Sequence, residues 1–266
     1  MTRRTFCLVF ALTLFTTIAV SAHDTWLAPR TFNAALKAKA YLDLTSGMAF
    51  PSLETSIRPD RIDVARVRLN GKPDDLTSHS SLRHSLAFLT QFNEPGIATC
   101  WVELKPRQLE LTPKLVEEYF AEIDATKEVR DEWNSMKGPK RWREIYVKHA
   151  KTFIAVGDNG TDNSWSEPVG MALEIVPLNN PTTLKAGQPF SLRVLKDGQP
   201  YPNFRVGIVF VGNSKGEFRT TDSEGRADFQ LPRPGKYLLR GTNLRRSTKP
   251  DLEWESDFTT LVIQAR

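Results

Sequence analysis

Short apolar segments separated by turn residues fill the chain from about Leu173 to its end. Dipeptides such as Asp197-Gly198 and Pro234-Gly235 enter tight turns at little cost, because glycine tolerates a positive φ and proline fixes its own φ. Several short strands at this spacing predict an antiparallel β-sandwich of the immunoglobulin-like kind over residues 156–266. The predicted strands lie within residues 190–194, 206–211, 227–231, 237–239 and 258–263.

The N-terminal part of the chain repeats this turn chemistry. Asn70-Gly71, which is followed by a lysine and a proline, has the same character as Asp197-Gly198, which is followed by a glutamine and a proline. We therefore predict a second, related sandwich over residues 23–111. The alternative is that the same turn dipeptides recur in any β-rich protein without a duplication.

The segment between the two sandwiches has helical periodicity. Pro113 opens a first helix, since proline is favoured at the first helical position. Apolar residues then recur on one helix face, continue to Met136 and stop at Gly138-Pro139. A further helix is predicted over residues 142–153. The apolar positions are Leu115, Val116, Tyr119, Phe120, Ile123, Val129 and Trp133 in the first part, and Trp142, Ile145, Tyr146, His149 and Phe153 in the second.

These patterns together predict a mainly β fold. It consists of two immunoglobulin-like antiparallel sandwiches with a helical insertion between them over residues 112–155. An insertion of this length is long for a connection within a sandwich, and such segments often cover or build a functional site.

The first 22 residues have the pattern of a signal peptide. Arg3 and Arg4 form a short basic start, residues 6–20 form an apolar run, and Ala22 ends a small-residue motif that a signal peptidase reads. Cleavage after Ala22 predicts a periplasmic or secreted chain that begins at His23. The paired arginines are also typical of a twin-arginine signal, so the export route stays open between that pathway and the general secretory one.

Charge and hydropathy argue against two classes of function. The 266-residue chain has a formal net charge of +5, and no lysine–arginine block is dense enough to predict nucleic-acid binding. After residue 22 no apolar run is long enough to span a bilayer, so no transmembrane segment is expected in the mature chain. Cys100 lies in a strand-like apolar run, where a buried and unpaired thiol is expected.

A mature terminus at His23 would place two nitrogen donors on one residue. Its free α-amine and its imidazole can close a small chelate ring on a metal ion. Groups of these two kinds have ordinary pKa values of about 8 and about 6.5, so neither costs much to deprotonate near neutral pH. The alternative is a frayed, solvated end, as many exported proteins have.

His149 is the second candidate ligand, because it shares the predicted apolar stripe with aromatic residues. Two outcomes stay open for this imidazole. Either it is a core histidine that hydrogen-bonds a carbonyl or a carboxylate, or it meets His23 in a site suited to nickel, copper, cobalt or zinc. Asp24 is a possible oxygen ligand or supporting residue. His79 and His84 lie in a serine-rich segment and are expected to be solvated.

The sequence carries no recognisable catalytic motif. It has no nucleophile elbow, no phosphate-binding glycine loop, and no serine, histidine and aspartate at a familiar spacing. A copper-dependent redox enzyme built on a terminal histidine stays open as a third alternative.

Several segments of the chain carry a resemblance to one group of proteins. They are Ala22-His23-Asp24 followed by Trp26-Leu27-Ala28-Pro29, Tyr146-Val147-Lys148-His149-Ala150-Lys151, Pro168-Val169-Gly170-Met171-Ala172-Leu173-Glu174-Ile175-Val176-Pro177, Lys185-Ala186-Gly187-Gln188-Pro189 and Asp251-Leu252-Glu253-Trp254-Glu255-Ser256. Over nearly the whole mature length the chain resembles exported bacterial proteins of unknown function grouped with nickel-uptake periplasmic components (NikM-like). The resemblance implies a soluble periplasmic β-sandwich protein that assists transition-metal uptake and hands the ion to a membrane transporter or an outer-membrane receptor.

One position departs from the pattern of that family. Relatives often carry a histidine in the strand before the closing tryptophan motif, whereas this chain has Arg240-Gly241-Thr242-Asn243. If that histidine is a ligand in the relatives, metal binding in this chain is weakened or moved.

Two functions from different classes follow from the sequence. The leading hypothesis is an exported, non-catalytic accessory protein that binds a divalent transition metal through His23, His149 and Asp24. The alternative is an envelope interaction module that binds a protein or glycan partner, for which an exposed apolar patch around Trp133 or Trp142 is expected.

Overall fold

The computed structural model describes residues 23–158 and 161–266, so the predicted signal peptide over residues 1–22 lies outside the described residues. Ten strands precede the helical segment. In chain order they are β1 (Asp24–Pro29), β2 (Asn33–Ala34), β3 (Lys39–Gly47), β4 (Thr55–Ser56), β5 (Ile62–Leu69), β6 (Lys72–Asp75), β7 (His79–Ser81), β8 (Leu86–Gln91), β9 (Gly96–Leu104) and β10 (Arg107–Leu111).

Two short helices follow, namely α1 (Pro113–Glu122) and α2 (Lys127–Ser135). Thr112 caps α1 by accepting a hydrogen bond from the Leu115 N–H, and Pro113 lies in the first turn. Thr126 caps α2 in the same way. The helical structure predicted to begin at Pro113 is therefore confirmed. In the part of the chain that the structure describes, no helix is long and apolar enough to cross a membrane.

Nine further strands complete the described chain, and short 3-10 turns lie at Pro59–Arg61 and Ser164–Ser166. The strands are β11 (Trp142–Val156), β12 (Leu173–Pro177), β13 (Pro189–Lys196), β14 (Gln199–Pro200), β15 (Arg205–Phe210), β16 (Asn213–Thr220), β17 (Arg226–Gln230), β18 (Gly235–Arg246) and β19 (Trp254–Ala265).

The helix predicted over residues 142–153 is wrong, because this segment is the long strand β11. Strand β11 pairs with β9 and β10 in antiparallel fashion and with β19 in parallel fashion. The second half of β11 is buried on both faces, so apolar residues occupy odd and even positions and imitate a helical stripe. The predicted insertion over residues 112–155 thus contains helices only as far as Ser135.

The strands form three sheets. Strands β1, β3, β4, β7 and β8 make a five-stranded sheet, and β12, β13, β14 and β17 make a four-stranded sheet. The third sheet has ten strands in the order β16-β15-β18-β19-β11-β9-β5-β6, with β2 and β10 also paired to β11.

The mainly β sandwich fold predicted from the sequence is confirmed, with two differences. The pairings of β11 with β19 and with β2 are parallel, so the sheets are not purely antiparallel. The ten-stranded sheet also takes strands from both sides of the predicted domain boundary at residue 156. The two sandwiches therefore share one sheet instead of having a pair of sheets each.

Alternation of side chains divides the core between the two faces of the ten-stranded sheet. On β19, Leu261 and Ile263 pack in a cluster with Phe190 of the four-stranded sheet. Val262, between them in sequence, packs on the opposite face with Trp26 of β1. The ten-stranded sheet is thus the middle layer, with the five-stranded sheet on one face and the four-stranded sheet on the other.

The predicted turn dipeptides adopt the backbone conformation that their residue types favour. Asn70 and Gly71 have φ angles of 51° and 75° in the hairpin of β5 and β6. Asp197 and Gly198 repeat this geometry, at 49° and 76°, in the hairpin of β13 and β14. A positive φ at both central residues is what a two-residue hairpin turn of the I′ type requires.

The helical segment covers an aromatic cluster. Trp133 of α2 and Trp142 of β11 are both buried, with ring centroids 5.5 Å apart. Trp254 of β19 stacks on Trp142 at a centroid distance of 4.5 Å. The expectation of an exposed apolar patch around Trp133 or Trp142 is therefore wrong, since both rings belong to the core.

Glu144 lies inside this aromatic cluster and is fully buried. Tyr119 Oη donates to Glu144 Oε1 at 3.0 Å, and Trp142 Nε1 donates to Oε2 at 2.8 Å. Ser256 Oγ donates to Oε1 as well. Burial raises the pKa of the Glu144 carboxyl, against the opposing effect of the three donors.

A buried ion pair joins the middle layer to the four-stranded sheet. Lys151 Nζ of β11 lies 2.6 Å from Glu174 Oε1 of β12, and each side chain is 1% exposed. Glu174 also accepts hydrogen bonds from the backbone N–H groups of Val169 and Gly170. Buried charges are tolerated when they are paired and hydrogen-bonded in this way.

Loss of one partner of this ion pair should be strongly destabilising. We expect Lys151→Met to lower the free energy of unfolding by roughly 3–5 kcal/mol, because Glu174 would stay buried without its cation. As a matched control, Lys72→Met breaks an exposed pair with Glu94 and should cost less than about 1 kcal/mol. Urea denaturation measures both free energies of unfolding. Equal losses in the two variants would contradict the description of Lys151 and Glu174 as a buried ion pair.

Glu144 should make stability depend on pH. Because its pKa is raised in the folded chain, the folded protein keeps a proton that the unfolded chain has already released. This contribution to stability is complete below the ordinary carboxyl pKa and is lost as the pH rises through the folded pKa. Glu144→Gln should remove the decline, since an amide oxygen can accept from Trp142 while its N–H₂ donates to the two hydroxyls. Urea denaturation across this pH range should give a smaller slope for the variant; the same slope in both proteins would refute the claim.

Candidate metal centre

The strand that follows the predicted cleavage site is anchored along its length. β1 pairs with β3 from its first residue to its last. Thr260 Oγ1 of the middle layer donates to the Thr25 carbonyl at 2.6 Å, and Trp26 is fully buried. A mature terminus at His23 would therefore directly precede a fixed strand. Frayed chain ends lack the hydrogen bonds and the burial that this strand has.

The side chain of Lys148 in β11 contacts the backbone of the partly buried His23. The Lys148 ammonium donates a hydrogen bond to the His23 carbonyl. Its Nζ also lies 5.5 Å from the ring centroid of Tyr146 and 5.3 Å from that of Phe258. Burial lowers the pKa of Lys148 to about 8, although the charges of nearby carboxylates, Asp24 first among them, act in the opposite direction.

Asp24 is held by Arg240 of β18. Arg240 Nη1 lies 2.6 Å from Asp24 Oδ2, and the two side chains are 13% and 15% exposed. Arg240 also donates to the Lys215 carbonyl and lies over the ring of Phe218, with its Cζ 5.5 Å from the centroid. Arg240, the first residue of the segment 240–243, thus contacts the start of β1 directly. Its guanidinium pairs with the carboxylate that was a candidate oxygen ligand.

His149 lies on the other face of β11 from His23. Consecutive residues of a strand point to opposite faces, so His149 cannot share a face with Lys148 and the His23 carbonyl that Lys148 binds. Its Nδ1 lies 3.0 Å from Glu103 Oε2 of β9, and the ring is buried. This is the core histidine paired with a carboxylate that the sequence left open as the first outcome. Among the described residues, its Nε2 has no hydrogen-bond partner.

The described residues do not assemble a site with three ligands. Among residues 23–158 and 161–266, no group of three or more His, Cys, Asp and Glu side chains could hold a metal ion. His79 and His84 are exposed, and the Nδ1 of His84 lies 2.9 Å from the Glu54 carbonyl oxygen. Of the three predicted ligands, the structure pairs Asp24 with Arg240 and places His149 apart, so only His23 stays a candidate donor.

A small cleft adjoins this terminus. Its interior of about 10 Å³ has room for roughly one water molecule. It is bounded by residues of β1, α1, β16, β18 and β19, namely Asp24, Glu122, Phe218, Arg240, Thr242 and Phe258 among others.

Sequence reasoning missed the parts that Lys148 and Arg240 play at the start of β1. Each is a basic residue within an otherwise apolar segment, and each becomes informative once that segment is assigned as a strand of a covered sheet. A charged side chain that points into such a sheet face needs a partner. The helix predicted over residues 142–153 concealed this signal for Lys148.

The chain belongs to the family described as domain of unknown function (DUF4198), whose match covers residues 20–243. This confirms the resemblance at the level of a family of unknown function. Among curated proteins, none matches the sequence.

Solved structures similar to the chain are remote. The D0-D1 domain of Intimin is 13% identical, with a TM-score of 0.23 over 89% of this chain and 96% of that one. The Yersinia pseudotuberculosis adhesin InvE is 14% identical, with a TM-score of 0.24 over 91% of this chain and 58% of that one. Murine CEACAM1b is 9% identical, with a TM-score of 0.21 over 91% of this chain and 99% of that one. Likeness at this level carries no argument about function.

Lys148 should make stability rise with pH in the alkaline range. Its pKa is about 8 in the folded chain against an ordinary value of 10.5, so the folded protein releases this proton first. Between these two values the unfolded chain binds more protons, and the free energy of unfolding therefore increases with pH. Lys148→Met should flatten the rise in urea denaturation series. If the free energy of unfolding rises with pH equally in wild type and variant, burial does not lower the pKa of Lys148 as described.

Proposed function

We propose that the mature chain is an exported, non-catalytic accessory protein that binds a divalent transition metal through the α-amine and the imidazole of His23. The observation that carries the proposal is the anchoring of the residues around this terminus. The His23 carbonyl accepts from Lys148, Asp24 is paired with Arg240, and β1 is hydrogen-bonded to β3 throughout. A chelating residue directly next to a fixed strand loses less conformational entropy on binding than one on a free end.

The donor chemistry suits nickel, copper, cobalt or zinc. Amine and imidazole nitrogens are ligands that these ions accept, and both lose their protons at low cost near neutral pH. Two nitrogens from one residue leave further coordination positions to solvent or to a partner. That incomplete ligand set favours an ion that is handed on over one that is kept as a structural metal.

Of the three ligands predicted from the sequence, only His23 is proposed to bind the metal. Asp24 acts by pairing with Arg240 and fixing the strand, since its carboxylate is already neutralised there. His149 acts in the core with Glu103, on the opposite face of β11. Metal uptake, with transfer to a membrane transporter or an outer-membrane receptor, is the role that the NikM-like resemblance adds to the proposal.

The terminal amine provides the decisive test. Processed protein that begins at His23, with its N-terminus established by intact mass, is titrated with Ni²⁺, Cu²⁺ and Zn²⁺ by calorimetry. A form with one additional alanine before His23 keeps the imidazole but moves the amine. We expect this form to bind at least tenfold more weakly, which corresponds to about 1.4 kcal/mol. Equal affinity in the two forms would refute the chelate.

Two histidine variants serve as controls. His149→Gln should leave the affinity for the metal unchanged, because His149 faces away from the terminus. His84→Ala removes an exposed imidazole on another part of the surface and should also have no effect. A large loss of affinity in His149→Gln would restore His149 as a ligand and contradict the arrangement described above.

A further inference from the structure

A cleft of about 150 Å³ lies where the helical segment meets the C-terminal strands. It is bounded by the turn between α1 and α2, by the turn that follows β14, and by β18. Cavities for drug-sized ligands begin at roughly 300 Å³, so this cleft has room for a single ring of a ligand. The lining residues that matter below are Asp124, Val129, Tyr201, Phe204, Asn243 and Leu244.

Asn243 gives the cleft a fixed polar group, since this residue is only 6% exposed. Its amide oxygen accepts from Lys196 Nζ at 3.0 Å and from Arg245 Nη1 at 3.2 Å. The opposite orientation of the amide would turn its N–H₂ group toward these two cations. The amide nitrogen therefore donates to Tyr201 Oη at 2.9 Å. Among the described residues no other group hydrogen-bonds Tyr201 Oη, so its O–H is free to donate to a ligand.

The Asp124 carboxylate supplies an acceptor from another side of the cleft. Arg205 donates to it from Nε at 2.7 Å and also from Nη2, and both hydrogen bonds go to Oδ2. In the described part of the chain, Oδ1 accepts no hydrogen bond. Asp124 and Arg205 are also the charged residues of the lining, and because they pair with each other the cleft offers a ligand no net charge.

Apolar surface lies beside these polar groups. The ring of Tyr201 stacks on that of Phe204 at a centroid distance of 5.0 Å, and the side chains of Val129 and Leu244 also line the cleft. A ligand that matches this lining needs an apolar face and hydroxyls at its rim. A pyranose ring has both, because its C–H groups form the faces and its hydroxyls project from the edge.

We propose that this cleft binds one neutral pyranose unit of a glycan. A sugar hydroxyl donates to Asp124 Oδ1, a second accepts from the Tyr201 O–H, and the C–H face packs on the apolar lining. A purely apolar ligand would remove both polar groups from water without a replacement, which is costly. A charged ligand would have to compete with the pair of Asp124 and Arg205. This site is separate from the metal site proposed at His23 and does not rest on it.

Nuclear magnetic resonance tests the proposal on the wild type. Processed protein labelled with ¹⁵N is titrated with the methyl glycosides of glucose, galactose, mannose and N-acetylglucosamine, with EDTA present. At least one glycoside should shift the backbone amides of Ala125, Thr126, Thr242 and Leu244. The dissociation constant should be in the millimolar range, as expected for a ligand of one ring. No shift with any glycoside, or shifts confined to residues outside the cleft, would overturn the proposal.

Tyr201→Phe keeps the stacked ring and removes only the hydroxyl that the sugar would meet. We expect it to weaken binding of the best glycoside several-fold, because that hydrogen bond is lost. Tyr41→Phe is the matched control, since Tyr41 is a partly exposed tyrosine of β3 and does not line the cleft. It should bind as the wild type does. Equal affinity in Tyr201→Phe and the wild type would reject the hydroxyl as a sugar ligand, and with it the site as described.

Two further probes decide the chemical class of the ligand. Glucuronate has the sugar ring with one negative charge, and cyclohexanol has a ring of the same size with a single hydroxyl. Both should bind more weakly than the best neutral glycoside. Tighter binding of glucuronate would show that the cleft selects charge, and equal binding of cyclohexanol would show that it selects apolar surface; either result rejects the proposal. Because EDTA removes metal ions, glycoside binding under these conditions is decided independently of metal binding at His23.

Discussion

The alternation of side chains along β11 is the constraint on which the rest of the structure depends. This strand lies inside the ten-stranded sheet and is covered on both faces. Even-numbered residues such as Ala150 and Ile154 pack toward the five-stranded sheet, and Phe153 packs toward the four-stranded sheet. A one-residue slip would exchange the faces, so the register of β11 decides which groups the terminus can meet.

Three charged contacts are placed where the layers meet. Lys151 pairs with Glu174 on one face of the middle layer, while Lys148 binds the His23 carbonyl on the other. Arg240 reaches Asp24 from β18 on that second face. Apolar contacts alone would allow many ways to stack one sheet on another, whereas an unpaired buried charge is costly. Lys148 and Arg240 therefore specify how β1 sits on the middle layer, and Lys151 does the same for β12 on the opposite face.

Local chemistry predicted much of the fold. The turn at Asn70, the helix start at Pro113 and the buried thiol of Cys100 each depend on a few neighbouring residues, and each is present. Burial also raises the pKa of that thiol. Such features can be derived from sequence because the residues that determine them lie within one turn or one strand.

Long-range pairing could not be predicted in the same way. Asp24 and Arg240 are 216 positions apart, and nothing local to either residue identifies the other. The segment 142–153 carries an apolar pattern that a helix and a doubly covered strand both satisfy, and pairing with β9 and β19 decides between them. The predicted helix over this segment also placed His149 on one apolar face together with the aromatic residues. A strand has no such face, because its consecutive side chains alternate between two sides. The error in secondary structure and the expected meeting of His149 with His23 thus have one cause.

The central claim is that the start of β1, directly after His23, is held by the sheet. Backbone ¹⁵N relaxation of processed protein that begins at His23 tests it most directly, through the order parameters of Asp24 and Thr25. The account predicts values near those of rigid backbone, about 0.85, for both amides. Values below about 0.6 would describe a flexible end and would contradict the account.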